Sequence, residues 1–297
     1  MILDQDQLDE FHLQGYVVSR RPVLRDDEID RLREELDAII EGRSTGQPVL
    51  NRNMVGAKEY GGAGSGDEPQ LEVRQIVNIS EASAPFAELI QHQELGATVA
   101  RLCNNAPLLR LWHDQIQYKP PIRGGVTKWH QDFLAWPVIE PADLVSAWIA
   151  LDDADVENGC MWMVPGSHRW GAVAPKTGSD GEFAPIYDPA LIPEGAEVRP
   201  LPMPVKKGCV GFHHCMTWHG SPNNRSERKR RAFAIHYMPG HTIYAPRGRS
   251  HPAVKHVHVQ PGDILEGENF PVLYRNEEAL SVFKKRYENA APAEAVA

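Results

Sequence analysis

From Pro107 onward the chain breaks into short strand-like segments separated by proline and glycine, and this punctuation limits the possible folds more than any other feature. Leu108–Tyr118, Leu144–Leu151, Cys160–Val164, Gly208–Met216 and Arg231–Met238 are the clearest segments. Proline gives no amide to a ladder and glycine favours turns, so a helical bundle is excluded for this part. The 24 prolines and 24 glycines of the whole chain point the same way. Many short strands after a helical N-terminal part predict a mainly β (α+β) fold. The expected form is a double-stranded β-helix, a cupin-like jelly-roll barrel buttressed by N-terminal helices.

The N-terminal part carries helix signals. Asp4 reads as an N-cap with Gln7 at N3 closing a capping box, and Leu3 with Leu8 as a hydrophobic staple. Gly15 ends that helix, and Tyr16-Val17-Val18 reads as a strand. A second helix is expected from Asp26 to Glu41, where Ile29, Leu32, Leu36 and Ile39 recur at helical spacing before Gly42. A strand is expected over Leu71–Ile79 and one continuous helix over Pro85–Cys103. Residues 43–70 lose periodicity. Their run Gly61 to Gly66 has neither the strand before it, the helix after it, nor the Lys-Ser/Thr of a phosphate loop, so a lid over a site is expected there. The whole chain, 1–297, is expected to be one domain. Its parts are a helical portion (1–106), a jelly-roll core (107–240), and a C-terminal edge and frayed tail (241–297).

A net charge of −9 argues against a nucleic-acid surface. No apolar run approaches the ~20 residues of a membrane span. The N-terminus lacks the basic region of a signal peptide. Cys103, Cys160, Cys209 and Cys215 form no Cys-x-x-Cys pair, which suits reduced thiols and a cytoplasmic location. Oligomeric state is left open.

The chemistry centres on His130-Gln131-Asp132. On a strand, residues i and i+2 share a face, so the imidazole and the carboxylate would project together, two corners of a facial triad for Fe(II). His-x-Asp alone recurs by chance in a chain with 13 histidines, so a third ligand is required. His219 directly follows an expected strand, and Arg230 lies eleven residues beyond it at the start of another. Arg230, Ala232 and Ala234 alternate onto one face, leaving a guanidinium room to grip a carboxylate. His214 is the nearest rival for the third ligand but lacks the context downstream of His219. The other histidines are read as core or surface residues, His168 as exposed on a turn. The basic run Arg225–Arg231 is read as a solvated loop apart from Arg230.

This order, His-x-Asp, a distant His and an Arg eleven later, closely resembles the phytanoyl-CoA dioxygenase family of Fe(II)/2-oxoglutarate oxygenases. The blocks Ser146–Asp153, Asn158–His168 and His219–Arg230 are similar to the family's in content and order, and the resemblance runs from about Gln115 to Tyr237. It implies that His130, Asp132 and His219 hold Fe(II), and that Arg230 and Ser221 bind the far carboxylate of 2-oxoglutarate. It further implies that Trp148 walls the cosubstrate pocket, that Gln115 and Arg74 add contacts, and that O2 is the co-oxidant for hydroxylating a small molecule. Two other outcomes are carried beside it. One is desaturation or cyclisation by the same machinery. The other is a metal-binding barrel that senses or binds without 2-oxoglutarate turnover. Arg52, Arg247, Arg249 and Lys255 concentrate in the loops at 43–70 and 240–255, which suggests an anionic substrate.

Overall fold

The computed structural model describes residues 1–44, 46, 50–54, 72–177, 183–248 and 251–281. Two antiparallel sheets, of eight and four strands, carry most of the β structure of the described residues, beside two two-stranded ribbons. In the larger, the strands run in the order Tyr16–Val18, Val210–His214, Val145–Ala150, Arg230–Pro239, Leu108–Lys119, Arg74–Val77 and Leu50–Asn53. Val272–Arg275 also pairs with Leu108–Lys119. The smaller sheet runs Leu201–Met203, Met161–Met163, His219–Ser221 and Thr127–His130. This is a jelly-roll arrangement, as the short punctuated strands imply, without a closed ring of hydrogen bonds.

Strand alternation sorts the two faces of the large sheet. On the outer face Ala147, Ile149, Phe212, Phe233, Ile235 and Tyr237 join the helical residues Leu8, Leu32, Leu36, Phe86 and Val99 in one buried cluster. On the inner face Trp148, Ala150, Ala232 and Ala234 meet Met161, Met163 and Met203 of the small sheet. The first face holds the fold together. Each fully buried large apolar side chain there contributes about 1.5–3 kcal/mol. The inner face, where small alanines line the central strand, leaves space for a site.

The helices form largely where their local signals place them. Helix α1, Gln5–Gln14, has both arms of the Asp4–Gln7 capping box, and ends on Gly15 at φ 83°. A β-carbon at Gly15 would meet His168 Nδ1 at 2.4 Å and Thr217 Oγ1 at 2.6 Å, so close approach and positive φ both demand glycine. His168 is therefore packed under α1 and half-buried, not exposed. Helix α2, Asp26–Ile40, buries all four residues of its stripe. The continuous helix expected over Pro85–Cys103 is two helices: α3, Ala84–Ile90, and α4, Gln93–Leu102. His92 interrupts them in an extended conformation, and its Nδ1 accepts from the Leu95 amide as the N-cap of α4. An imidazole acceptor there is not a pattern that apolar spacing reveals.

In the run Arg225–Arg231 the side chains of Arg225, Arg228 and Lys229 are exposed on a loop, as expected, and Arg231 is the departure. Arg228 bonds Asp155 and Glu157, and Lys229 reaches Asp37. Arg231 lies on the outer face, where Nε and Nη2 donate to Asp152 at 2.9 Å each and Nη1 donates to Asp37. Arg33 of α2 also donates to Asp152, at 2.7 Å. Asp152 thus pins α2 to the sheet, and its removal leaves a buried and a half-buried guanidinium group short of a partner. Asp152→Ala is expected to destabilise the fold by about 3 kcal/mol, read as a lower urea midpoint at unchanged m-value. A midpoint equal to that of the unmodified protein would show that water compensates both arginines.

Beyond Gly240, Ile243–Tyr244 pairs with Ile139–Glu140. Val254, Val257, Leu265 and Phe270 pack there against Trp112, Trp136 and Leu144 as a satellite core. Most of the expected lid at 43–70, together with Arg249, lies outside the described residues. No helix among the described residues is long and apolar enough to cross a membrane.

Candidate metal and cosubstrate site

His130 closes the strand Thr127–His130, and the strand stops there. Asp132 opens a 3-10 turn, Asp132–Ala135, so the strand geometry expected for both residues holds only for the first. The turn is fixed by Gln131, which is buried. Its amide nitrogen donates to the carbonyls of Gly171 and Met216, and its oxygen accepts from the Val173 amide. His219 starts the neighbouring strand and lies opposite His130 in register. Two residues earlier, Thr217 donates its hydroxyl to the Gly15 carbonyl, tying this strand to the end of α1.

The three side chains converge. One ligand atom from each of His130, Asp132 and His219 lies within 4.8 Å of the others. Asp132 Oδ1 is 3.4 Å from His130 Nε2 and 3.6 Å from His219 Nε2. The opposite ring nitrogens are already engaged: Nδ1 of His130 faces the Lys128 carbonyl at 2.7 Å, and Nδ1 of His219 faces the Thr217 carbonyl at 2.9 Å. A carbonyl only accepts, so each Nδ1 carries the proton and each Nε2 turns a lone pair to the centre. Two imidazole Nε2 atoms and one carboxylate on one side of a point are the donor set of a facial triad. Among the described residues this is the one such cluster with metal-ligand proximity.

Asp132 Oδ2 is occupied elsewhere. His213 Nε2 lies 3.1 Å from it, and Ser146 Oγ donates to it at 3.3 Å. Burial alone would raise this carboxyl, but His219, His130 and His213 outweigh it and hold the group well below the usual carboxylate range. Asp132 is therefore an ionised ligand with one oxygen restrained and one directed at the imidazoles.

Deeper between the sheets stands Arg230, fully buried. Its Nη1 makes one long contact of 3.5 Å to the Gln117 carbonyl, its Nε has no partner, and the guanidinium carbon lies 5.5 Å from the centre of the Trp148 ring. Burial lowers its pKa to about 10. Across the strand pair lies Lys119, also buried, and burial together with Arg230 holds its ammonium well below the usual lysine range. Lys119 Nζ donates to the carbonyls of Ser221 and Pro222, which brings Ser221 to this end of the cavity. Two buried basic groups with, among the described residues, no carboxylate hydrogen-bonded to either make an unbalanced pocket, because a buried charge needs a partner. A dicarboxylate whose far end reached Arg230 would balance it, so the residues present fit 2-oxoglutarate as well as iron. The indole nitrogen of Trp148 donates to Gln117 Oε1, which sets the ring as a wall beside Arg230.

The remaining residues named from the sequence divide. Gln115 lies on the inner face and contacts His236. Arg74 does not reach this cavity. It follows the alternation of Ile76 onto the outer face, and Glu72 holds it at 2.7 Å. The inner-face residues of that strand are Gln75 and Val77. Arg52 is also on the inner side, donating twice to Gln75 Oε1. Arg247 is engaged by Glu140, and its guanidinium lies 4.5 Å from the centre of the Phe133 ring. Lys255 is exposed on a 3-10 turn. Lys119, Ser146, His213 and His236 were not singled out from the sequence. His236 could have been, since it continues the alternation Arg230, Ala232, Ala234.

With this geometry in hand, the relatives are informative. The profile of the phytanoyl-CoA dioxygenase (PhyH) family matches residues 11–232. The mouse phytanoyl-CoA dioxygenase domain-containing protein 1 is 31% identical over 186 residues, covering 60% of this chain and 62% of its own length. The non-haem α-ketoglutarate-dependent carbocyclase SnoK from nogalamycin biosynthesis is 29% identical with a TM-score of 0.70, over 91% of this chain and 96% of its own. The epimerase SnoN, solved with Fe3+, α-ketoglutarate (2-oxoglutarate) and nogalamycin RO, shares the fold. Its TM-score is 0.67 at 23% identity, over 91% of this chain and 98% of its own. The cofactors of such proteins, iron, 2-oxoglutarate and O2, are those the donor set and the buried arginine fit. The chain belongs to the phytanoyl-CoA dioxygenase family.

Proposed function

We propose that this protein is an Fe(II)/2-oxoglutarate-dependent oxygenase that hydroxylates a small molecule with release of succinate and CO2. The observation that carries it is that Arg230, buried and with no carboxylate bonded to it among the described residues, shares the inner face of Arg230–Pro239 with His236, which reaches Asp132 of the His130–Asp132–His219 donor set through Ser146. A metal-binding or sensing barrel without turnover has no use for Arg230 in that state. When bound, iron, 2-oxoglutarate and O2 together supply a strong hydrogen-atom abstractor. The chain's own residues do the rest. His130, Asp132 and His219 would hold the iron, Arg230 with Ser221 would fix the far carboxylate, and Trp148 with the methionines of the small sheet would keep water out.

Loaded with Fe(II) and supplied with 2-oxoglutarate and O2, the protein is expected to release succinate, and to stop when the metal is chelated. No succinate above the metal-free control, with metal binding verified, would refute the proposal. The likeness to SnoK along nearly the whole chain favours a second reading, ring closure after hydrogen abstraction. Product mass separates the two: hydroxylation adds one oxygen, whereas ring closure removes two hydrogens. An anionic substrate remains part of the proposal, supported by Arg52 on the inner face. Its loss should weaken substrate binding in a salt-dependent way.

A further inference from the structure

A line of hydrogen bonds leads from the edge strand Leu50–Asn53 to Asp132, and its direction follows from the chemistry of each group. Arg52 can only donate, and Nε and Nη2 both donate to Gln75 Oε1, at 2.9 and 2.7 Å. Gln75 must then offer its Nε2, which donates to Gln115 Oε1. Gln115 in turn has only its Nε2 to present to His236 Nε2, at 3.0 Å. An amide nitrogen donates, so His236 Nε2 accepts and its Nδ1 carries the proton. Nδ1 lies 2.6 Å from Ser146 Oγ. The hydroxyl accepts there, which frees its own proton for Asp132 Oδ2 at 3.3 Å. Each group accepts from one neighbour and donates to the next. Ser146, His236 and Gln115 are all buried, so water does not compete for these bonds.

We propose that Ser146 and His236 are positioning residues for Asp132, the near end of a directed relay that begins at the Arg52 guanidinium. By keeping a donor on Oδ2, beside the one from His213, the relay leaves Oδ1 as the oxygen that binds metal. It also fixes the rotation of the carboxylate against the two imidazoles. The relay links the charged edge of the large sheet to the metal ligand through neutral groups alone. It rests on the reading of His130, Asp132 and His219 as ligands, but the tautomer it requires does not.

Two measurements test it. In the metal-free protein with 15N-labelled histidine, long-range 1H–15N spectra should show His236 as the Nδ1–H tautomer, assigned by loss of its signals in His236→Leu. The Nε2–H tautomer would overturn the relay whatever the site binds. The second is anaerobic titration with Co(II), read by its visible absorption, with thermal melts alongside. Ser146→Ala and His236→Leu are expected to weaken Co(II) binding by about ten- to a hundredfold, the usual cost of losing an outer hydrogen-bond partner. Ser146→Thr, which keeps the hydroxyl, should restore it. Gln75→Leu changes a residue four links from Asp132, on a partly buried strand. It should shift the Co(II) spectrum while folding normally. Variants that bind Co(II) within twofold of the unmodified protein, with superposable spectra, would overturn the positioning role. An unmodified protein that fails to bind Co(II) would sink the ligand reading itself, leaving the tautomer result to judge the hydrogen-bond order.

Discussion

Arg230→Ala is expected to lose 2-oxoglutarate binding while keeping metal binding. Removing one partner of a buried charge pair costs about 3–5 kcal/mol, and each 1.4 kcal/mol is about tenfold in affinity. The dissociation constant for 2-oxoglutarate should therefore rise more than about a hundredfold, with Co(II) affinity changed little. Arg230→Lys should recover only part of the loss, since an ammonium lacks the planar fork that grips a carboxylate at two points. Arg231→Ala is the control. Its guanidinium faces outward onto Asp152 and Asp37, so that variant should lose stability and leave 2-oxoglutarate affinity alone. A near-normal affinity in Arg230→Ala would remove the anchor assignment.

The same residue gives an opposite effect in the unliganded protein. Burial lowers the Arg230 pKa to about 10, so the folded protein holds this proton less tightly than the unfolded chain does. Below that pH the charged group opposes folding, and the penalty fades only as pH rises through about 10 toward the ordinary arginine value. Arg230→Ala should thus melt no lower than the unmodified protein without ligand, yet gain nothing from added 2-oxoglutarate. A variant that instead melted well below the unmodified protein would show the guanidinium to be a structural tie, not a waiting anchor.

The fold was legible in the chain because strand alternation and helix caps are local. Ile29, Leu32, Leu36 and Ile39 are one face of α2, and Asp4 with Gln7 caps α1. His130, Asp132, His219 and Arg230 were legible because their order and spacing match a family, not because spacing alone brings them together. What the sequence did not show depends on partners distant along the chain. Arg74 and Gln75 are adjacent, and only the register with Leu108–Lys119 decides which faces the cavity. His213 and His214 are adjacent too. The first turns inward to Asp132, while the second accepts from the Met216 amide and lies against His168. Which of two neighbours faces inward depends on strand phase, and a one-residue error in phase exchanges them. The break at His92 was hidden for another reason, since an imidazole cap leaves no mark in the apolar pattern.

Asp132→Gly is expected to abolish oxygenation, lowering substrate-dependent turnover by at least about a thousandfold, or ~4 kcal/mol of barrier. Two effects combine. The substitution removes the one anionic donor of the triad, and it leaves His213 Nε2 and Ser146 Oγ without the acceptor they share. His130 and His219 keep their Nδ1 bonds to backbone carbonyls, so both Nε2 lone pairs still point to the centre and some metal binding should survive. Glycine would leave the carboxylate's place open to a halide, which the charge of Asp132 would otherwise keep away. Assayed in chloride buffer, the unmodified protein should yield oxygenated or ring-closed product and no chlorinated one, by mass spectrometry. Asp132→Gly should yield no oxygenated product, and a trace of chlorinated product would be consistent with the opened position. Chlorination by the unmodified protein would place Asp132 outside the metal's coordination, and the ligand set drawn from its 3.4 and 3.6 Å approaches to the two imidazoles would fall with it.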